Sequence, residues 1–192
     1  MTIPDLSVGG ARAWTSLTGD EKRARVLAVA GDLFAREGVE FPMPELAKAV
    51  GVGVGSLYRQ IGKKDDVIAA LVIQRLDALS ARYEAAAGTD THLEALRDVI
   101  DATVQECVHD RVTKMCWEFG AGREDCESAR SRARTALQHL IDSAKGSGEL
   151  REDASGNDLR FLFRAAREAE RIMPGGAARL GQLVFAGLQH PG

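Results

Sequence analysis

Apolar residues recur along the chain at helical spacing, three and four apart, and hardly anywhere at the alternate spacing of strands. The first such run is Val26, Leu27, Ala30, Leu33 and Phe34. Thr18 with Glu21 three residues later forms a capping-box signature ahead of it, and Gly38 supplies the stop. A short helix is predicted from about Pro44 to Val50, with Leu46, Ala47 and Val50 inward and Gly51 as its end. Another short helix begins near Val54 and is broken by Gly62. A long helix starts near Lys63, carries Val67, Ile68, Leu71, Val72, Leu76 and Leu79, and fades at Ala87 to Gly88. Further helices are predicted from Thr91 to about His109, Val112 to Phe119, Asp125 to about Lys145, Ser155 to Ile172 and Ala177 to Leu188. The fold class is therefore all-α, with about nine helices.

Composition narrows the picture. The chain has 192 residues, 45% hydrophobic and 28% charged, the profile of an ordinary globular protein with a core of its own. No run of ~18 apolar residues implies a transmembrane span, so no membrane partner is expected. Met1 to Gly10 lacks a basic, then apolar, leader pattern, and a cytoplasmic location is the expectation. The net charge is −3, but the charge is unevenly spread. Residues 1–64 hold nine cations and seven anions, a balance of +2, which leaves −5 for the rest. That asymmetry fits a nucleic-acid-facing N-terminal part.

The two short helices joined at Gly51 read as a helix-turn-helix. A helix of this length fits the DNA major groove while the helix before it crosses the backbone. Leu57 and Ile61, four apart, anchor the presented helix inward. Ser56, Arg59 and Gln60 can reach base edges, Arg suiting guanine and Gln adenine through paired hydrogen bonds. Tyr58, Lys63 and Lys64 suit phosphates, which set position rather than sequence preference. With Val54 and Gly55 at the start of the helix, these eight residues form the candidate DNA-binding set.

Residues 22 to 71 resemble the N-terminal domain of the TetR family of transcriptional regulators. The resemblance rests on Arg25-Val26-Leu27-Ala28-Val29-Ala30, on Leu33-Phe34-Ala35-Arg36-Glu37-Gly38, on Glu45-Leu46-Ala47, and above all on the run Gly51 to Ile61 followed by Lys63-Lys64-Asp65-Asp66-Val67. It implies base contacts from Ser56, Arg59 and Gln60 and phosphate contacts from Tyr58 and Lys64. Two positions depart from the family pattern. Ile61 stands where an aromatic residue is usual. Pro42 stands where a Ser or Thr often caps the second helix and touches phosphate, and it has no hydroxyl for that contact.

The resemblance also implies a division into a flexible tail at 1–18, a helix-turn-helix DNA-binding domain at 19–66 and an effector-binding and dimerisation domain at 67–192, linked by the helix at 63–87. Arg12 in the tail could reach a groove. The stretches Gly148 to Asp153 and Arg179 to Leu188 resemble an actinobacterial-looking branch of the family. The last two helices are expected to pair with their copies, with Leu159, Leu162, Leu180, Leu183, Val184 and Leu188 as candidate dimer contacts. Their apolar faces are also expected to pack into the chain's own core. Candidate effector-pocket residues are Cys107, Met115, Cys116, Trp117, Phe119 and Phe163, a soft, bulky set that suits an apolar pocket. Core packing accounts for any one of them as well. Arg164, Arg167 and Glu168 read first as salt-bridged surface and second as the polar end of a pocket.

Cys107, Cys116 and Cys126 lack metal-ligand spacing and are read as buried structural thiols, with a redox sensor as the alternative. No metal and no cofactor is expected. Phosphate-loop, nucleophile-elbow and His-Glu-x-x-His motifs are absent, so an enzyme is not expected. The expected function is a DNA-binding transcriptional regulator. It acts as a homodimer on a near-palindromic double-stranded operator, as a repressor released by a small-molecule effector that the sequence does not identify. The alternatives are a transcriptional activator and a ligand-independent helical adaptor.

Overall fold

The computed structural model describes residues 13–38, 40–116, 119–120 and 122–189. The described residues form a short 3-10 turn, Trp14–Ser16, and nine α-helices. These are α1 (Gly19–Glu37), α2 (Met43–Val50), α3 (Val54–Ile61), α4 (Lys64–Ala87), α5 (His92–His109), α6 (Arg111–Met115), α7 (Glu124–Gly146), α8 (Gly156–Ile172) and α9 (Gly176–Leu188). Among the described residues the one β feature is an isolated antiparallel bridge between Leu150 and Gln189. Two compact units divide between Val67 and Ile68, and α4 is continuous across the division.

The first unit is built from α1, α2 and α3, each packed on the other two. Thr18 and Glu21 form the full capping box at the start of α1, which satisfies donors the helix itself leaves unpaired. Val26, Ala30, Leu33 and Phe34 of α1 are buried, as are Leu46, Ala47 and Val50 of α2 and Leu57 and Ile61 of α3. Arg25 donates to the Val50 carbonyl at 3.3 Å, tying α1 to the end of α2. Pro42 stands at the N-cap of α2 with no side-chain cap bond. Residues 13–18 of the expected tail include the Trp14–Ser16 turn, with Lys22 Nζ 5.9 Å from the Trp14 ring centre. Arg12 lies outside the described residues.

In the second unit α5, α8 and α9 pack mutually, and α7 closes the group against α5 and α8. The core draws on Leu79 and Tyr83 from α4, Leu96, Ile100 and Val104 from α5, and Leu140 and Ile141 from α7. Leu159, Leu162, Phe163 and Ala166 complete it from α8, and Phe185 and Leu188 from α9. The α8–α9 corner is tight. Glu170 accepts from the backbone N–H groups of Gly175 and Ala177 at 2.9 and 3.2 Å. A Cβ at Gly176 would run into the backbone carbonyl of Ala169.

Helix α6 is shorter than the expected Val112–Phe119 span. Asp110 caps it by accepting from Val112 N–H. Thr113 is held by Arg75 of α4, whose Nε donates to its hydroxyl at 2.7 Å. The Cys116 N–H is shared between the carbonyls of Val112 and Thr113, a tightening that ends the helix. No described helix is long and apolar enough to cross a membrane.

Candidate functional site

The turn between α2 and α3 rests on Gly51, at φ +81° and ψ +37°. Val52 N–H bonds the Ala47 carbonyl at 2.9 Å and Gly51 N–H bonds the Lys48 carbonyl at 3.1 Å. This pair of bonds around a left-handed glycine is a Schellman closure, and a side chain at that φ is strained. It leads the chain into α3 with Leu57 and Ile61 buried beneath. The opposite face carries Val54, 39% exposed, and Tyr58, 44% exposed, together with Gly55 and Arg59. Arg59 Nη2 donates to Ser56 Oγ at 3.1 Å, so the half-buried Ser56 props the guanidinium. Lys63 is exposed beyond the helix end, and its N–H bonds the Asp66 carboxylate at 2.8 Å, which starts α4. Lys64 is half-buried, its Nζ 5.6 Å from the centre of the Phe41 ring.

Gln60 departs from the expected set. Its amide donates to the carbonyl of Gly19 at 2.7 Å, so it braces α3 against the start of α1. Spacing put it on the face of Ser56 and Arg59, but its partner is 41 residues away in sequence.

The candidate pocket residues separate. Cys107 and Phe163 line an open groove of about 500 Å³ with Lys114, Arg164, Arg167 and Glu168. Arg164, Arg167 and Glu168 thus stand at a void as well as at the surface; Glu168 is ion-paired with Arg171 at 2.5 Å. Met115, Cys116 and Phe119 are not part of that groove. Cys116 is buried, its thiol 3.4 Å from the Val112 carbonyl, because the chain turns inward where α6 ends. Burial pushes that thiol up to about 12. Trp117 lies outside the described residues. All three cysteines are buried as thiols, and no metal-holding group of His, Cys, Asp or Glu occurs among the described residues.

A smaller, more enclosed cavity of about 70 Å³ lies among α4, α7 and α8. Leu76, Leu79 and Tyr83 come from α4, Ala133 and Leu137 from α7. Arg130 and Arg134 of α7 and Arg160 and Arg164 of α8 complete it. Arg164 lines both voids. Of this arginine set sequence reasoning named Arg164 alone, as the polar end of a pocket, and missed Arg130, Arg134 and Arg160. The set's signal was the spacing: each pair stands four apart, on one helix face.

The candidate dimer residues also separate. Leu159, Leu162 and Leu188 are buried in the core of their own chain, and Leu180 and Val184 pack half-buried against it. Leu183 is 54% exposed. The reason is phase: residues 159, 162, 163 and 166 share the core side of α8. Phe161, 69% exposed, and Ile172, 75% exposed, lie roughly half a turn away on a second apolar stripe.

Comparison with known proteins agrees with this architecture. Residues 26–71 match the family of bacterial regulatory proteins of the tetR family. Residues 93–190, about half the chain, match the C-terminal domain of SbtR-like transcriptional regulators. The chain is 28% identical over 102 residues to an HTH-type transcriptional regulator of Staphylococcus aureus strain USA300, a match covering 52% of this chain and 55% of the relative. It thus spans about half the length of that curated relative. The TetR transcription regulatory protein of Mycobacterium vanbaalenii shares the fold at TM-score 0.66 and 23% identity, over 90% of this chain and 97% of that one. SmeT of Stenotrophomonas maltophilia does so at TM-score 0.65 and 21% identity, over 93% of each. With both family matches in chain order on a helix-turn-helix unit and a helical unit, the chain belongs to the TetR family of DNA-binding transcriptional regulators, which are not enzymes.

Proposed function

We propose that this regulator is a repressor that binds a near-palindromic operator as a homodimer and is released by a small-molecule effector. One observation carries the reading. Helix α3 is anchored by buried Leu57 and Ile61 and offers a face of Val54, Gly55, Tyr58 and Arg59 to a partner. On this reading Arg59, propped by Ser56, reads base edges, and Val54 meets a thymine methyl. Gly55 lets the backbone come close. Tyr58, Lys63 and Lys64 hold phosphates, and Gln60 keeps the helix at its angle through Gly19.

Homodimerisation draws on the second stripe of α8, Phe161 and Ile172, and on exposed Leu183 of α9. A two-fold pair would set two copies of α3 ~34–36 Å apart, one turn of DNA. SmeT, which shares this fold, is a repressor and has also been solved with triclosan, so the fold accommodates a small molecule. Arg75 of α4 holds both Asp110 and Thr113 around α6, which couples any shift of α6 to α4. A ligand that favours one position of that assembly shifts the population of DNA-competent dimers.

Selection from a random double-stranded DNA pool with purified protein at moderate salt tests the reading. Enrichment of a two-fold motif is expected. Binding without any sequence preference would sink it.

A further inference from the structure

The enclosed cavity among α4, α7 and α8 has a one-sided chemistry. Arg130, Arg134, Arg160 and Arg164 line it, and no carboxylate does among the described residues. The nearby acids have partners of their own: Asp77 pairs with Arg132 at 2.6 Å, Glu84 with His139 at 2.9 Å, and Glu106 with Arg82 at 2.6 Å. Arg130 is spent on structure, donating to the carbonyls of Cys116 and Phe119 and pairing with Glu127. The other three are not spent in this way. Arg160 gives Nη1 to Asn157 at 2.7 Å, while its Nε is buried with no partner. Tyr83, only 2% exposed, lines the same cavity with a hydroxyl that also has no partner. Thr103 Oγ1 is near that hydroxyl but outside hydrogen-bond geometry.

Orphaned buried donors are rare because each forfeits the water it left. Here Arg160 and Tyr83 line one cavity, and each carries a buried polar atom with no hydrogen-bond partner. An acceptor supplied from outside resolves both. The Nε–Nη2 edge of Arg160, left over by Asn157, is the edge that grips a carboxylate with two parallel bonds. The size adds a second constraint. About 70 Å³ takes a head group, and Arg164 also lines the groove of about 500 Å³, whose lining is Lys114, Arg167, Glu168, Glu170 and Arg171 over the buried Cys107 and Phe163.

We infer that the effector is an organic carboxylate, its charge held by Arg160 and Arg164 beside Tyr83 and the rest of the molecule extending past Arg164 into the groove. This rests on the effector reading above and names the ligand class.

The test uses three probes of matched length: octanoate, 1-octanol and octylammonium. Calorimetry on the full-length protein reports binding, and operator affinity is measured with each probe. Octanoate is expected to bind roughly tenfold or more tighter than octanol, the difference one well-placed charge-assisted contact makes. Octylammonium should not bind. Arg160→Gln with Arg164→Gln should erase the preference and leave octanol binding as it was. Arg160→Lys, which keeps charge but loses the fork, should recover only part of it. Melting curves without probe confirm that each variant is folded.

Equal binding of octanoate and octanol overturns the inference, as does a preference that survives the double variant. A preference for octylammonium, or no octanoate binding at millimolar concentration, overturns it too. The two levels separate cleanly. Arginine-dependent octanoate binding with unchanged operator affinity upholds the anion site and sinks the effector reading. Operator release by octanol and octanoate alike does the reverse.

Discussion

At the scale of single residues, the α3 face divides into side chains that differ in what they do. Arg59→Ala should relax preference at one base pair of each half-site, a loss of about 1–3 kcal/mol for the preferred sequence and little for others. Lys63→Ala should weaken all DNA alike and reduce the salt slope by about 1. Gln60→Ala is expected to behave like neither. Its amide bonds Gly19, so its loss should lower the melting temperature of the first unit and weaken DNA binding without a change in sequence preference. Binding to point-substituted operators over a salt series tells the three apart. Helical spacing made Ser56, Arg59 and Gln60 legible as neighbours. It does not carry where an amide at the end of two rotatable bonds turns, and Gly19 enters only through the packing of α1. Tyr83 offers a residue-scale test in the second unit. Because its hydroxyl is buried without a partner, Tyr83→Phe should raise rather than lower the melting temperature of the ligand-free protein.

At the scale of elements, caps and breakers were readable because each is a local event. Thr18 with Glu21, Gly51 and Gly62 act within one turn of where they stand in the sequence. The end of α6 was not readable. It depends on Arg75, 38 residues away, holding Thr113 while the chain turns inward at Cys116. The two-sided α8 was half readable. Leu159, Leu162, Phe163 and Ala166 announce one apolar side, and Phe161, out of phase with them, was the signal of another. Element-scale tests follow from the tightest contacts. Gly176→Ala places a methyl group against the Ala169 carbonyl and must pry α8 from α9. Chemical denaturation should show a loss of more than about 2 kcal/mol. Leu57→Ala, beneath the recognition face, should cost roughly 2–5 kcal/mol and lower affinity for every DNA sequence.

At the scale of the whole molecule, the proposed assembly has a direct test. Phe161→Glu with Leu183→Glu puts charge on the exposed apolar stripe without touching the core. Light scattering should then show monomers where the parent is dimeric, with operator affinity falling steeply. A dimer that survives both changes would refute that face. Alkaline stability carries a second signature. The Cys116 thiol has an ordinary value near 9.0 in the unfolded chain and is pushed up to about 12 by burial. Over that window the unfolded state sheds a proton that the folded state keeps, so stability should fall as pH rises from about 9. Cys116→Ala should flatten that part of a denaturation-against-pH curve.

Helix α8 carries three stripes side by side: a core stripe through Leu159 and Phe163, an arginine stripe through Arg160 and Arg164, and an outward apolar stripe through Phe161 and Ile172. The arginine stripe lies between the other two, so a rotation of the helix that tightens its grip on an anion also turns the outward stripe. On the proposed anion site and dimer face, occupancy and assembly are linked by mass action. The ligand concentration needed for half-saturation should drift with the protein concentration wherever monomer and dimer coexist, and the drift should vanish once dilution or excess leaves only one of them.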